Sequence, residues 1–279
     1  MRLPLAALAL VALAPAACGP AEPAAEVAEA ELTSDAIDAA VTESSFLLTV
    51  LRAADEPAPD LPAARRGLLR ARDQLQAFWG PCATLQVDEP ERRVVAQLRR
   101  CTGAGELRAV TGTVSYTFAP ATGGVQVQVS ARDVKVGPAT VELLEATAVL
   151  RLASALREVR ISQSHLVYTG GLGRHVDSTL TREAVTTWNV LSNCYAHSGG
   201  RRVTTTEADG GASGYALEVD GYQRCARQCP RAAMDVVVLT SLDGARSLRA
   251  SYNGLATARW VLTVNGARAA AGTWRLDCT

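Results

Sequence analysis

The sequence lacks an excess of charge of either sign. Its 28 Lys and Arg residues balance 28 Asp and Glu residues over 279 positions, and Lys135 is the single lysine. A nucleic-acid-binding protein normally shows a concentrated basic surface. The balanced charge therefore argues against nucleic acid as a partner.

Several motifs are also absent. Beyond the N-terminal stretch, no apolar run reaches the roughly 18 residues of a membrane-spanning helix. The chain lacks the Gly-x-Ser-x-Gly elbow of hydrolases, a P-loop and an EF-hand loop. The segment Gly170-Gly171-Leu172-Gly173 is rich in glycine, but no helix follows it, so we predict a turn rather than a phosphate-binding loop. We therefore expect no cofactor and no enzymatic activity.

The N-terminus carries a secretory signal. Arg2 is followed by an apolar run over Leu3–Ala14, and small residues then precede Cys18. A basic start, an apolar stretch and a small-residue cleavage site define a signal peptide. We predict that residues 1–17 are removed and that Cys18 becomes the first residue of the mature chain.

The cleavage boundary resembles the lipobox of bacterial lipoproteins, whose cysteine is lipidated. It reads Ala14-Pro15-Ala16-Ala17-Cys18-Gly19, although Ala14-Pro15-Ala16 also fits ordinary secretory cleavage. Cysteine counting favours lipidation, because the chain has seven cysteines and an exported protein with an odd number needs an explanation. The resemblance implies a lipid anchor on Cys18, and Gly19 resembles the outer-membrane sorting pattern. The predicted location is therefore the outer membrane, on its periplasmic or cell-surface side.

A tether and a helical hairpin are predicted next. Residues 18–33 are rich in Ala, Glu and Pro and are typical of a flexible acidic tether. Ser34 can cap a first helix that runs to about Ala53. A second helix is predicted over Leu61–Trp79, with Pro62 in its first turn and Gly80-Pro81 after its end. Residues 34–80 are thus expected to form a two-helix hairpin.

Residues 81–279 are predicted to form an antiparallel β domain. Runs such as Val110–Phe118 and Val125–Val129 alternate apolar and polar residues, as strands with one wet face do. Asn253-Gly254 and Asn265-Gly266 suit type I′ hairpin turns, in which both residues have positive φ. The sequence therefore predicts a four-strand meander over residues 234–277. The fold class is mainly β, with meander sheets arranged as one curved sheet or as a sandwich.

Six cysteines are left for disulfides once Cys18 is set aside. We predict a Cys82–Cys101 bridge, because the segments that follow Cys82 and precede Cys101 can pair as a hairpin across Pro90. A hairpin turning near residue 210 pairs Cys194 with Cys225, which leaves Cys229 for Cys278. The alternative joins Cys225 to Cys229 and Cys194 to Cys278. A zinc site is not expected, because only one short cysteine spacing exists.

Three histidines are candidates for hydrolase chemistry: His165, His175 and His197. His175-Val176-Asp177 places a histidine and an aspartate on the same face of a strand. Ser178 and Ser192 are the candidate nucleophiles. An envelope hydrolase that uses His175 and Asp177, or His197, remains an alternative.

Aromatic residues in the strands support a second alternative, a carbohydrate- or lipid-binding protein. Exposed aromatic rings bind sugars, although Trp and Tyr in strands more often pack in the core or pair across strands. The candidates are Trp188, Tyr195, Tyr215, Tyr222, Trp260 and Trp274.

The chain resembles a loose group of bacterial surface lipoproteins of unknown function. The resemblance is carried by four short segments: Cys82-Ala83-Thr84-Leu85-Gln86-Val87, Cys101-Thr102-Gly103, Thr111-Gly112-Thr113-Val114-Ser115-Tyr116-Thr117 and Val264-Asn265-Gly266. It implies an anchored, β-rich domain without catalytic residues to transfer. The leading hypothesis is a non-enzymatic envelope lipoprotein that contacts the membrane through Cys18 and binds an envelope protein or a glycan.

Overall fold

The computed structural model describes most of the chain from residue 60 onward. The described residues are 46–47, 49–50, 53, 60–102, 109–153, 155–170, 173–189, 191–192, 194–206, 210–225, 237–255 and 257–275. The predicted signal peptide (1–17), the tether (18–33) and the cysteines Cys18, Cys229 and Cys278 lie outside them.

The helix predicted over Leu61–Trp79 is confirmed with those bounds and is named α1. Asp60 caps it, because its side chain accepts a hydrogen bond of 2.8 Å from the Ala63 amide. Gly80 ends it with a φ of 68°, and a 3-10 turn over Gly80–Cys82 leads into the sheet. The face of α1 that packs against the first three strands consists of Ala63, Ala64, Gly67, Leu68, Ala71, Leu75 and Trp79.

The predicted two-helix hairpin is not found in the described residues, where α1 is the only extended helix. Of the first predicted helix, the described part shows Phe46 and Leu47 as helical and Thr49 and Val50 as a turn. Ala53, at the end of that predicted helix, lies in a 3-10 turn, and the rest of the helix lies outside the described residues.

In the described residues, thirteen strands form one antiparallel sheet in the order of the chain, and this confirms the mainly β meander. They belong to one sheet rather than two, and this sheet is not closed, with β1 and β13 at its two edges. The strands are β1 (Ala83–Asp88), β2 (Arg93–Cys101), β3 (Val110–Ala121), β4 (Gly124–Val136), β5 (Ala139–Ala153), β6 (Leu156–Thr169), β7 (His175–Asn189), β8 (Cys194–Thr206), β9 (Ala212–Cys225), β10 (Val237–Ser241), β11 (Arg246–Tyr252), β12 (Thr257–Val264) and β13 (Ala267–Arg275).

The sheet has two distinct faces because side chains alternate along each strand. In β4, for example, Val127, Val129 and Ala131 are buried, and the residues between them are more exposed. We call the face of these three residues the inner face and the opposite face the outer face. The register extends the inner face across six strands, through the row Ala131, Leu144, Leu166, Ser178, Val203 and Tyr215. One apolar core joins α1 to this face.

The last four strands form the predicted meander, but its two Asn-Gly turns differ. Asn265 and Gly266 connect β12 to β13 with φ values of 51° and 77°, as a type I′ turn requires. At the other turn Gly254 has a φ of 81°, whereas Asn253 does not have a positive φ. The Asn253 side chain instead accepts a 3.1 Å hydrogen bond from the Leu255 amide. The type I′ prediction for Asn253-Gly254 is therefore wrong.

Candidate functional site

His175 and Asp177 lie on the outer face, but each contacts a different residue. Nδ1 of His175 is 3.3 Å from a carboxylate oxygen of Glu142 on β5. Nε2 of His165 on β6 is 3.1 Å from a carboxylate oxygen of Asp177. Two histidine–carboxylate pairs therefore form across three strands. We call these four residues the histidine–carboxylate cluster.

A threonine joins one of the two pairs. The Thr169 hydroxyl donates a 2.5 Å hydrogen bond to the Glu142 carboxylate and lies 3.5 Å from Nδ1 of His175. Because the hydroxyl donates its hydrogen bond to the carboxylate, it is not arranged to be deprotonated by the imidazole. Side-chain exposure in the cluster ranges from 40% at Glu142 to 48% at Asp177, so its polar groups remain open to water.

The candidate nucleophiles lie away from these histidines. Ser178 points to the inner face, where it is buried and its hydroxyl is 3.4 Å from a guanidinium nitrogen of Arg201. Ser192 lies beyond the end of β7 that is opposite His175, and the length of β7 alone separates them by roughly 46 Å. The structure therefore does not bring a serine, a histidine and an aspartate together at either candidate position.

His197 lies on the inner face, near one end of the sheet. Its Nδ1 is 2.8 Å from the Thr186 hydroxyl on the neighbouring strand. The pKa of His197 is lowered from its ordinary value because burial disfavours the charged imidazolium. This histidine is consequently suited to packing and hydrogen bonding as a neutral ring.

Two tyrosines lie at the same end of the inner face. Tyr222 is directly opposite His197 in the register of β8 and β9. Its ring meets the ring of Tyr252 edge to face, with a centroid distance of 5.4 Å. Both tyrosines are half-buried, as is His197. Together with Thr186, these residues form an arrangement that we call the aromatic cluster.

The other aromatic candidates occupy different environments. Tyr215 is buried in the core. The Trp260 indole covers Gly272, the residue opposite Trp260 on β13. Trp188 lies opposite Arg157 and Tyr195 in the strand register and is half-buried. The side chains of Tyr195 and Trp274 lie outside the described part of the chain. The aromatic residues therefore do not form one continuous platform in the residues that are described.

An arginine is buried in the inner face among smaller polar residues. Arg201 is 4% exposed, and burial lowers its pKa to about 10. Thr205 and Ser178, which are also buried, lie on the same face. The sequence analysis did not identify Arg201, although in a strand one residue of Arg201-Arg202 has to point inward.

Two of the predicted disulfides are confirmed. Cys82 and Cys101 are joined with a Cα separation of 5.5 Å. Cys194 and Cys225 are joined as directly opposed residues of β8 and β9, and their Cα atoms are 3.9 Å apart. This separation is shorter than the usual range of about 4.4–6.8 Å for bridged cysteines. The alternative in which Cys225 joins Cys229 and Cys194 joins Cys278 is wrong.

Two shallow depressions lie near α1. One, of about 470 Å³, follows the turn between β1 and β2, and the other, of about 460 Å³, lies between that turn and the start of α1. Neither is lined by a histidine. Within the described ranges, no three His, Cys, Asp or Glu side chains are placed to hold a metal ion. None of the described helical segments has the length and hydropathy to span a bilayer.

Comparison of the chain with protein-family models, with curated proteins and with solved structures finds no match. The histidine–carboxylate cluster and the aromatic cluster are therefore assigned from their chemistry alone.

Proposed function

We propose that this protein is an exported lipoprotein that is anchored to the outer membrane through Cys18 and acts there by binding rather than by catalysis. The observation that carries the binding role is the separation of Ser178 from the histidine–carboxylate cluster by the sheet itself. A hydrolase needs its nucleophile within hydrogen-bond reach of its base. The outer face instead offers exposed, paired polar groups.

The disulfides support export. Two bridges hold adjacent strands together in the described residues, and disulfides persist mainly in oxidising compartments. They use four of the seven cysteines. If Cys229 pairs with Cys278, Cys18 is the cysteine left over, as lipidation requires.

The outer face is the proposed binding surface. Besides the histidine–carboxylate cluster, it carries ion pairs between neighbouring strands, such as Arg132 with Glu145 at 3.0 Å and Arg160 with Glu183 at 2.6 Å. Exposed pairs of this kind contribute little to stability. Their donors and acceptors can exchange partners with the polar surface of an envelope protein or with the hydroxyl groups of a glycan.

Two variants of the full-length chain test this proposal. We expect Cys18→Ser to lose the acyl mass from the mature protein, to leave the membrane fraction and to lose any envelope phenotype. The double variant Ser178→Ala, Ser192→Ala removes both candidate nucleophiles without changing the outer face, so it should keep that phenotype. Loss of function in the folded double variant would support the hydrolase alternative. A mature protein that begins at Ala17 without acyl mass would contradict the anchor.

The aromatic cluster supports carbohydrate binding as a second candidate function. Tyr222 and Tyr252 are half-buried and pack edge to face beside the hydroxyl of Thr186 and the ring of His197. A sugar combines an apolar ring face with hydroxyl groups, which matches this mixture. Quenching of intrinsic fluorescence by envelope glycans should be observed for the wild type and lost in Tyr222→Ala. Quenching of the two proteins to the same extent would exclude this site.

A further inference from the structure

The two edges of the sheet are protected to very different degrees. β1 is six residues long, begins at the buried Ala83 and ends at Asp88, and α1 packs against it. β13 is nine residues long, and in the described part of the chain it pairs only with β12. Proteins normally shield edge strands with short length, charges, proline or a covering element, because unpaired backbone groups recruit other strands. By this standard β1 is shielded, whereas in the described residues β13 is protected only by its arginines and by one irregularity in its pairing with β12 near Thr263.

The central residues of β13 carry neither charge nor proline. Between Arg268 and Arg275 the sequence is Ala269-Ala270-Ala271-Gly272-Thr273-Trp274. Ala269, Ala271 and Thr273 are exposed, as are Ala267 and Arg268 at the start of the strand. The small side chains of Ala271 and Thr273 leave the backbone of this edge accessible from the outer face of the sheet.

The inner side of this edge is covered by an aromatic ring. Trp260 on β12 lies directly opposite Gly272, and a Cβ atom on Gly272 would be 2.7 Å from the indole. The indole thus occupies the space that a side chain on β13 would fill. Because Trp260 is only half-buried, an added strand would remove more of its apolar surface from water.

We propose that β13 is an interaction surface for a second copy of this chain, and that the two β13 strands pair antiparallel about Ala271. Both sheets then continue through the contact, and each copy satisfies the edge backbone groups of the other. In this register Arg268 faces position 274 and Arg275 faces position 267. No two arginines are therefore directly opposed.

Other arrangements of the same edge are less favourable. Parallel pairing in register would place Arg268 beside Arg268 and Arg275 beside Arg275, and like charges in neighbouring strands destabilise a sheet. Pairing of β13 with β1 of another copy would be head to tail and would continue as an open filament. Antiparallel β13 pairing is isologous, so it stops at the dimer.

Cysteine cross-linking of the full-length exported chain tests the register. In the proposed dimer the two copies of position 271 are adjacent, whereas the two copies of position 267 are about 27 Å apart along the strands. We expect Ala271→Cys to give a disulfide-linked dimer on a non-reducing gel. Ala267→Cys, on the same exposed edge, and Thr84→Cys, on β1, should remain monomeric.

Each other result of the cross-linking would overturn the proposal. Dimers from both Ala267→Cys and Ala271→Cys would indicate parallel pairing or random collision. Monomeric Ala271→Cys would show that the edge does not self-associate. A disulfide between Ala271→Cys and a different protein, without a homodimer, would assign the edge to another partner.

A charge substitution provides a second test without cross-linking. Ala271→Lys would place two ammonium groups face to face at the centre of the contact, and a lysine on an edge strand opposes strand addition. We expect the detergent-solubilised wild type to sediment as a dimer and Ala271→Lys as a folded monomer. Thr84→Lys serves as the matched control and should remain dimeric. A wild type that sediments as a monomer, or a dimeric Ala271→Lys, would overturn the proposal.

Discussion

The hydroxyl of Tyr116 lies 3.1 Å from the hydroxyl of Thr49, a residue 67 positions earlier in the chain. The Thr49 hydroxyl donates to the Phe46 carbonyl at 2.6 Å, so its oxygen is left to accept from Tyr116. Both side chains are buried. This short chain of hydrogen bonds attaches the segment before α1 to β3, and burial raises the pKa of Tyr116 because the phenolate would be desolvated.

Tyr116→Phe should lower the free energy of unfolding by about 1 kcal/mol, because the Thr49 oxygen loses a buried donor. Thr49→Val should lower it by a similar amount, since Tyr116 then loses its acceptor. Urea denaturation of the single variants and the double variant measures the coupling. If the two losses simply add, the hydrogen bond does not contribute to stability.

Removal of the disulfides should lower stability according to the length of chain that each encloses. The bridged cysteines are separated by 19 residues in Cys82–Cys101 and by 31 residues in Cys194–Cys225. Chain-entropy arguments give losses of about 3 and about 4 kcal/mol for the respective paired Cys→Ala variants. Urea denaturation in the absence of reductant measures both losses of stability. A larger loss for the shorter loop would contradict this explanation.

Burial of His197 should make stability depend on pH below its ordinary pKa of 6.5. Its folded-state pKa is lowered, so below pH 6.5 the unfolded chain binds a proton that the folded chain does not. The free energy of unfolding should therefore fall as the pH falls from 8 to 5. His197→Asn keeps a polar atom near Thr186 but does not titrate, so it should show a smaller fall. If the free energy of unfolding fell equally with pH in both proteins, His197 would not be the cause of the pH dependence.

Gly272→Ala should destabilise the protein by about 1–3 kcal/mol, because the new methyl group would overlap the Trp260 indole. Gly170→Ala is the matched control, since among the described residues its Cβ would meet only the Arg174 carbonyl oxygen, at 3.8 Å. The control should be neutral. Thermal denaturation compares the two variants, and equal melting temperatures would show that the indole can move aside.

Arg201→Met should leave stability unchanged or increase it. The guanidinium is charged at pH 7 because its pKa is lowered only to about 10, so the folded state bears its desolvation cost. Methionine fills a similar volume without a charge. Val203→Ala, two residues further along the same face, should lose stability through a cavity. A marked loss in Arg201→Met would show that its hydrogen bonds outweigh the desolvation.

Sequence reasoning identified the elements whose causes are local. α1 was predicted with its observed bounds because Pro62 and Gly80-Pro81 mark its two ends, and the Asp60 cap was found only in the structure. The Asn265-Gly266 hairpin followed from two residues that tolerate positive φ. Strand lengths were less predictable: alternation was found over Val110–Phe118, whereas β3 extends to Ala121. Pairing with the start of β4 lengthens the strand beyond what its own pattern indicates.

Register decided most of the candidate sites. His175-Val176-Asp177 placed a histidine and an aspartate on one face, as predicted from the strand period. Which carboxylate each histidine meets depends on irregularities in the pairing of β5 with β6 and of β6 with β7, near Leu143 and His165. These β-bulges shift one strand past its neighbour, and no local pattern revealed them.

The sequence by itself determined the β meander, α1 and the pairing of Cys82 with Cys101, because each depends on neighbouring residues or on a single hairpin. The tertiary structure decided between the two pairings of Cys194, and it alone decided that Glu142 meets His175, that Arg201 is buried and that α1 covers β1. Those relationships depend on how the described strands and α1 pack together. Such packing joins residues far apart in the chain, and alternation along one strand does not encode it.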